Sequence, residues 1–153
     1  MMSSIDAIVL LAAISATWAM TGVIWIIQFV HYPIFDSIER GDGDAAWRRF
    51  GERHRSSISY VVGPFMLVEG VTGIWLVVDP PGDAGIVLPL VAAALMAVAY
   101  GVTAFVSVPL HERLTPSWNS DAHRRLVSTN WWRTAAWTVR ALVLVVLAVT
   151  AIS

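Results

Sequence analysis

Residues 131–152 read WWRTAAWTVRALVLVVLAVTAI, an apolar run interrupted only by hydroxyls and by Arg133 and Arg140. At about 1.5 Å of helical rise per residue it covers roughly 33 Å, enough to cross the hydrocarbon core of a bilayer. Three more runs, 5–30, 57–78 and 86–110, reach or exceed the roughly 20 residues that a spanning helix needs. Four spans place both termini on one face, together with the short turn 79–85. The two longer connections, 32–56 and 111–130, fall on the other face. The reading is an all-α, integral membrane four-helix bundle, one domain over residues 1–153, with its termini on the same side.

All ten basic residues are arginines, and their placement orients the bundle. The face with the termini carries Asp6, Asp79 and Asp83 and no arginine. The opposite connections carry Arg40, Arg48, Arg49, Arg53, Arg55, Arg113, Arg124 and Arg125. The positive-inside rule then makes those connections cytoplasmic and predicts both termini outside, in a multi-pass protein of the cell membrane.

Composition points the same way. A chain of 153 residues that is 57% hydrophobic and 14% charged is too apolar for a soluble domain of its size. A net charge of −1 gives no reason to expect nucleic acid as a partner. With zero cysteines, disulfides, thiolate metal sites and cysteine nucleophiles are excluded. The first apolar run has no positive leading segment and is too long for a signal peptide, so it reads as a retained helix. The halves share a span–turn–span rhythm, but no residues match well enough to make a repeat, which argues against an inverted-repeat transporter. Asp79-Pro80-Pro81-Gly82 stops the second span. In the first long connection, after the flexible stretch 40–43, Asp44 is placed to cap a helix. Trp47, Phe50 and His54 then recur at helical spacing, with the arginines elsewhere on the wheel. Asp121 is placed to cap the helix leading into the last span.

Within the spans, polar residues fall on stripes. His123, Asn130, Trp137 and Leu144 follow one another every seven residues, beside Leu126, Arg133 and Arg140. Tyr100, Thr103, Ser107 and His111 make a stripe on the third span. Thr17, Thr21, Gln28 and His31, with Trp25 nearby, make one on the first. Glu69 and Thr72 contribute from the second. In lipid such stripes should face one another. Arg140 and Glu69 lie about ten and twelve residues into their spans from the same face, roughly 15 Å deep or more. Equal depth predicts an ion pair, because an unpaired charge there costs about 2.5–3.5 kcal/mol on insertion scales. A pair that only fixes helix register is the structural alternative.

His31, His54, His111 and His123 are all the histidines present, and each sits at the cytoplasmic end of a different span. Acid–base use, a metal or haem site, and simple helix-end capping all remain open. No short ligand spacing and no Glu-x-x-His pair favours a metal. Trp47, Trp118, Trp131 and Trp132 sit where an interfacial aromatic belt would lie. Trp25 and Trp137 follow the polar stripes and could stack on a flat ligand.

The stretch Ser107-Val108-Pro109-Leu110-His111-Glu112-Arg113-Leu114, then Asn130-Trp131-Trp132-Arg133-Thr134-Ala135, resembles the anthrone oxygenase-like family of small four-helix membrane proteins. The shared patterns are V-P-L-x-x-R-L closing the third span and N-x-x-R-T opening the fourth. Gln28-Phe29-Val30-His31-Tyr32-Pro33-Ile34-Phe35 is similar to the proline-containing exit of that family's first helix. Pro109, Arg113, Asn130, Arg133 and Thr134 occupy motif positions, while His111 stands where asparagine is usual. The resemblance implies a cofactor-independent oxygenase that oxidises anthrones to anthraquinones with molecular oxygen, although many relatives have no known activity. Such chemistry needs a base to form a carbanion, a cation to hold the resulting phenolate, and an apolar pocket.

The function expected is therefore oxidoreductase chemistry on a hydrophobic aromatic or quinone-type molecule. Its catalytic candidates are His31, His111, Arg133, Arg140 and Glu69. Gln28, Trp25, Asn130, Trp137 and His54 are the substrate-binding candidates. The pocket is expected in the cytoplasmic half, lined by Gln28, His31, His54, His111, Asn130, Arg133 and Trp137. The alternative is a non-enzymatic subunit or a quinone or haem binder. The partners expected are the lipid bilayer and a hydrophobic small molecule, and a homo-oligomer or larger membrane complex stays open.

Overall fold

The computed structural model describes residues 2–152, with the side chains of residues 36–44 outside the description. Four helices are long and apolar enough to cross a membrane: α1 (Ser4–Phe35), α2 (Ala45–Val78), α3 (Val87–Leu114) and α4 (Ser120–Ile152). No strand occurs among the described residues. The ring of Phe35 lies 5.7 Å from that of His54, although 19 residues of straight helix would separate them by about 28 Å. The chain has therefore reversed direction between α1 and α2. Around the bundle, α1 packs on α2 and α4, and α3 packs on the same two helices, so α2 and α4 face each other diagonally.

Local signals account for the helix ends. Ser3 and Asp6 form a capping box at the start of α1, each side chain taking the other's backbone N–H. Asn119, not Asp121, caps α4, since its Oδ1 accepts from the Ala122 amide; Asp121 instead pairs with Arg124 in the first turn. The side chains of Arg40 and of the expected cap Asp44 lie outside the described residues, and the backbone of the stretch 40–43, expected to be flexible, is helical. After α2 the chain turns through Gly82, whose φ of 56° is one that L side chains avoid. A Cβ there would stand 2.8 Å from the Ala151 carbonyl oxygen, so the turn sits directly on the end of α4.

Two helices carry a wide π-helical turn, at Ile27–His31 in α1 and at Thr103–Ser107 in α3. Each ends two residues before a proline, Pro33 or Pro109, whose ring presses on the carbonyl four residues earlier. The two turns share the sequence F-V-x-x-P: Phe29-Val30-His31-Tyr32-Pro33 and Phe105-Val106-Ser107-Val108-Pro109. The halves of the chain thus do share a local element, which comparison of the whole spans overlooks because only these positions match.

Buried side chains confirm the stripe on α4: His123, Leu126, Asn130, Arg133, Trp137, Arg140 and Leu144 are all buried. Thr17, Thr21 and Gln28 of α1 and Glu69 and Thr72 of α2 are buried with them. One cluster, with Met20, Ile24, Phe35, Trp47, Leu126 and Trp137, fills the half containing the histidines. The other, with Leu10, Leu76, Ala92, Leu144 and Leu147, fills the opposite half beside the turn after α2. Trp47 departs from the aromatic-belt expectation. It is 2% exposed and its indole N–H donates to the Leu114 carbonyl, so it staples α2 to the end of α3. Trp131 and Trp132 do lie on the exterior.

Candidate functional site

Three polar layers stack along the bundle. The deepest holds the expected ion pair, with Arg140 Nε 3.4 Å from Glu69 Oε1 and both side chains wholly buried. Thr17 donates to Glu69 Oε1 at 2.7 Å, Trp137 donates its indole N–H to Glu69 Oε2 at 3.0 Å, and Arg140 Nη1 donates to the Ala92 carbonyl. One carboxylate on α2 is therefore satisfied from α1 and α4, and its arginine reaches α3. Gly73 makes room for this arrangement. A Cβ there would meet Met96 at 3.0 Å and Arg140 Nη2 at 3.5 Å. Arg140 Nη2 is left without a hydrogen-bond partner.

The middle layer centres on Arg133, which is 6% exposed. Its Nη1 donates to Ser107 Oγ at 3.2 Å and to Asn130 Oδ1 at 3.1 Å, while Asn130 Nδ2 donates to Gln28 Oε1 at 2.8 Å. The guanidinium stands 5.4 Å from the centroid of the Trp137 ring. No carboxylate pairs with it among the described residues, so hydrogen bonds and a ring face carry the compensation, and its Nε is left without a hydrogen-bond partner.

The third layer holds the histidines. His31 Nε2 and His54 Nδ1 are 2.8 Å apart, and His111 Nε2 lies 3.3 Å from the Tyr32 hydroxyl. The rings of His54 and His111 are 5.3 Å apart. His123 bonds the Tyr32 carbonyl at 3.0 Å and stands on the far side of a phenyl ring. That ring is Phe35, which lies 5.0, 5.7, 6.3 and 6.0 Å from His31, His54, His111 and His123. All four imidazoles gather at one level, but around a phenyl group. Among the described residues no three histidine, cysteine, aspartate or glutamate side chains are grouped to hold a metal ion. Phe35 fills the space that a ligand shared among the four imidazoles would need, so these residues do not fit a metal ion held by all of them.

The cleft bordering this layer, about 280 Å³, runs between α1 and α2. Val23, Ile26, Ile27, Ile58 and Val61 wall it, and His31, His54 and Ser57 are its polar residues. Ile26 and Val61 are exposed on the apolar exterior, so the cleft opens sideways onto that exterior. Of the pocket residues expected from the sequence, only His31 and His54 line it. Gln28, Asn130, Arg133 and Trp137 bond to one another and to Ser107 and Glu69 in the core behind it, because each satisfies another's buried hydrogen-bonding groups. His111 is held by Tyr32, and Glu69 and Arg140 lie in the deepest layer. Trp25 faces outward, donating to Thr138 Oγ1 at 3.1 Å and stacking on Phe29 at 5.4 Å.

No protein-family model, curated protein or solved structure matches this chain. Tyr32 and Phe35 are the residues that sequence reasoning missed, while Ser107 lies on the polar stripe expected of the third span. Tyr32 and Phe35 fall in a stretch read as a connection, yet both are buried. The Y-P-I-F pattern, apolar at helical spacing beyond the span, is the signal that could have found them.

Glu69→Ala or Arg140→Ala should each cost about 3–5 kcal/mol in detergent unfolding, since each strands a buried charge, whereas Glu69→Leu combined with Arg140→Met should recover most of the loss. Phe35→Ala should cost about 3–5 kcal/mol and open a void faced by four imidazoles. Zinc should then raise the unfolding temperature of that variant and leave the parent unchanged; a parent raised equally would show that the phenyl does not bar the metal.

Proposed function

We propose that this multi-pass protein takes a hydrophobic, aromatic or quinone-type molecule from the bilayer into the α1–α2 cleft and oxidises it there. The observation carrying this reading is the cleft itself, an apolar slot opening onto the apolar exterior and ending at the hydrogen-bonded pair His31–His54. Its volume lies at the small end of ligand pockets, suiting a ring system whose remainder stays in lipid. A hydrogen bond between two imidazoles needs one donor and one acceptor, so the pair can accept a proton while its partner reorients. Membership of the anthrone oxygenase-like family, with oxygen as co-substrate, is part of the proposal. Base attack by the pair on an acidic methylene would leave a carbanion conjugated to a phenolate. Addition of molecular oxygen would give a peroxide anion, which recovers the proton as a hydroperoxide. Loss of water then gives the ketone. In balance, one methylene and one molecule of oxygen become one carbonyl and one molecule of water. Arg133 and Arg140 stand behind the cleft rather than in it, so in this reading they set the field of the core and do not clamp the substrate.

With anthrone as probe, purified protein should take up one molecule of oxygen per anthrone consumed. His31→Ala and His54→Ala should each lower the rate about 10²-fold or more, the usual contribution of a general base. Val61→Trp should block turnover by filling the cleft; parent-like turnover in that variant would remove the cleft from the mechanism. The exposed aromatic group Trp25, Phe29 and Trp131, with mutual ring separations of 5.4–5.9 Å, favours a second reading, a binding subunit held in a larger membrane complex through that face. In that case ligand binding would persist with no oxygen uptake.

The orientation belongs to the same proposal: both termini outside, arginine-bearing connections in the cytoplasm. Reporter fusions at residues 1 and 153 should be active only as extracytoplasmic reporters; a cytoplasmic signal from either end would reverse the assignment.

A further inference from the structure

The carboxylates flanking two arginines at the histidine end are already engaged. Glu112 lies 3.7 Å from Arg55, and Asp121 pairs with Arg124. Their neighbours Arg113 and Arg125 are exposed and have no carboxylate partner among the described residues. The two line one groove between α3 and α4, whose remaining walls are Phe105, Val106, Pro109 and Leu110. Phe105 is 83% exposed and lies eight residues, about 12 Å, deeper in the bundle than Arg113. Arg125 also lines a second and wider groove on the other flank of α4, about 770 Å³, lined by Pro33, Val127 and Trp131 together with His123, Arg124 and Ser128. One arginine without a carboxylate partner thus stands on the ridge of α4, with a groove of mixed polar and apolar lining on each side. Each groove borders one of the two proline-ended π turns.

We propose that this ridge is a binding site for an anionic phospholipid of the adjoining leaflet. The headgroup phosphate sits at Arg125, with Arg113 as its second cation, and the two acyl chains straddle α4. Charge complementarity selects the headgroup, because unpaired guanidinium groups at the rim offer paired N–H donors matched to phosphate oxygens. The grooves select a lipid over free phosphate, because only an acyl chain gains from covering Phe105 and Trp131. Basic side chains at a membrane surface attract anionic lipid individually, but two helices converging on one groove give a defined position.

Native mass spectrometry of the protein released from detergent tests this, using phosphatidylglycerol and phosphatidylcholine of identical acyl chains as probes. The parent should retain one phosphatidylglycerol and little phosphatidylcholine. Arg125→Gln and Arg113→Gln should each weaken retention about fivefold, the worth of one basic residue at an anionic surface, without changing the lipid-free unfolding temperature. Arg53→Gln, which removes an exposed arginine of α2, should leave retention intact. Equal retention of phosphatidylcholine would overturn the proposal, as would an equal loss in Arg53→Gln, which would reduce the effect to diffuse charge. Displacement of the lipid by inorganic phosphate at comparable concentration would also overturn it, since the chains would then contribute nothing.

Discussion

A single carboxylate ties the four helices together. Glu69 is 0% exposed in a segment apolar enough to cross a membrane, where an ionised group survives only with a full set of partners. It receives Thr17 from α1, and Trp137 and Arg140 from α4, while Arg140 reaches a carbonyl of α3. Apolar helices in lipid have little hydrophobic reason to prefer one neighbour or one register over another. The pair supplies that preference, because sliding or rotating any one helix would strand a buried charge or donor. Gly73 and the diagonal placement of α2 and α4 are consequences of letting the two side chains meet.

The histidine end obeys a second constraint, the two prolines. Pro33 and Pro109 cannot donate to their helices, and each helix widens just before its proline. In α1 the widened turn presents His31 to His54 and leaves room beside Ile27 for the cleft. In α3 it brings Ser107 to Arg133. The same backbone device thus supports the cleft on one side of the bundle and the arginine held without a carboxylate on the other. Buried side-chain polar groups other than Arg133 Nε and Arg140 Nη2 find partners within this frame; several threonines, such as Thr103 and Thr138, bond the carbonyl four residues back in their own helix.

Those self-satisfied threonines show why a polar stripe is only a partial guide. Thr103 extends the stripe of α3 in the sequence, yet its hydroxyl asks nothing of a neighbouring helix. Glu69, Arg133, Arg140 and Asn130 cannot be satisfied on their own helices, and these are the residues whose facing the pattern located correctly. The charged and amide members of a stripe therefore carry its information.

Hydropathy and arginine spacing alone determined four apolar helices, their approximate limits, the buried face of α4 and the meeting of Glu69 with Arg140. Each depends on periodicity or on depth along a helix axis, quantities that are local to the chain. Tertiary structure alone decided what occupies the space between helices. Four histidines at one level are visible in the sequence, but the phenyl ring of Phe35 among them is not, because its position depends on the chain reversing between α1 and α2. For the same reason the cleft could not be read in advance. It is the space between Val23, Ile26 and Ile27 of α1 and Ile58 and Val61 of α2, and such spaces depend on side chains far apart in sequence that only folding brings within reach.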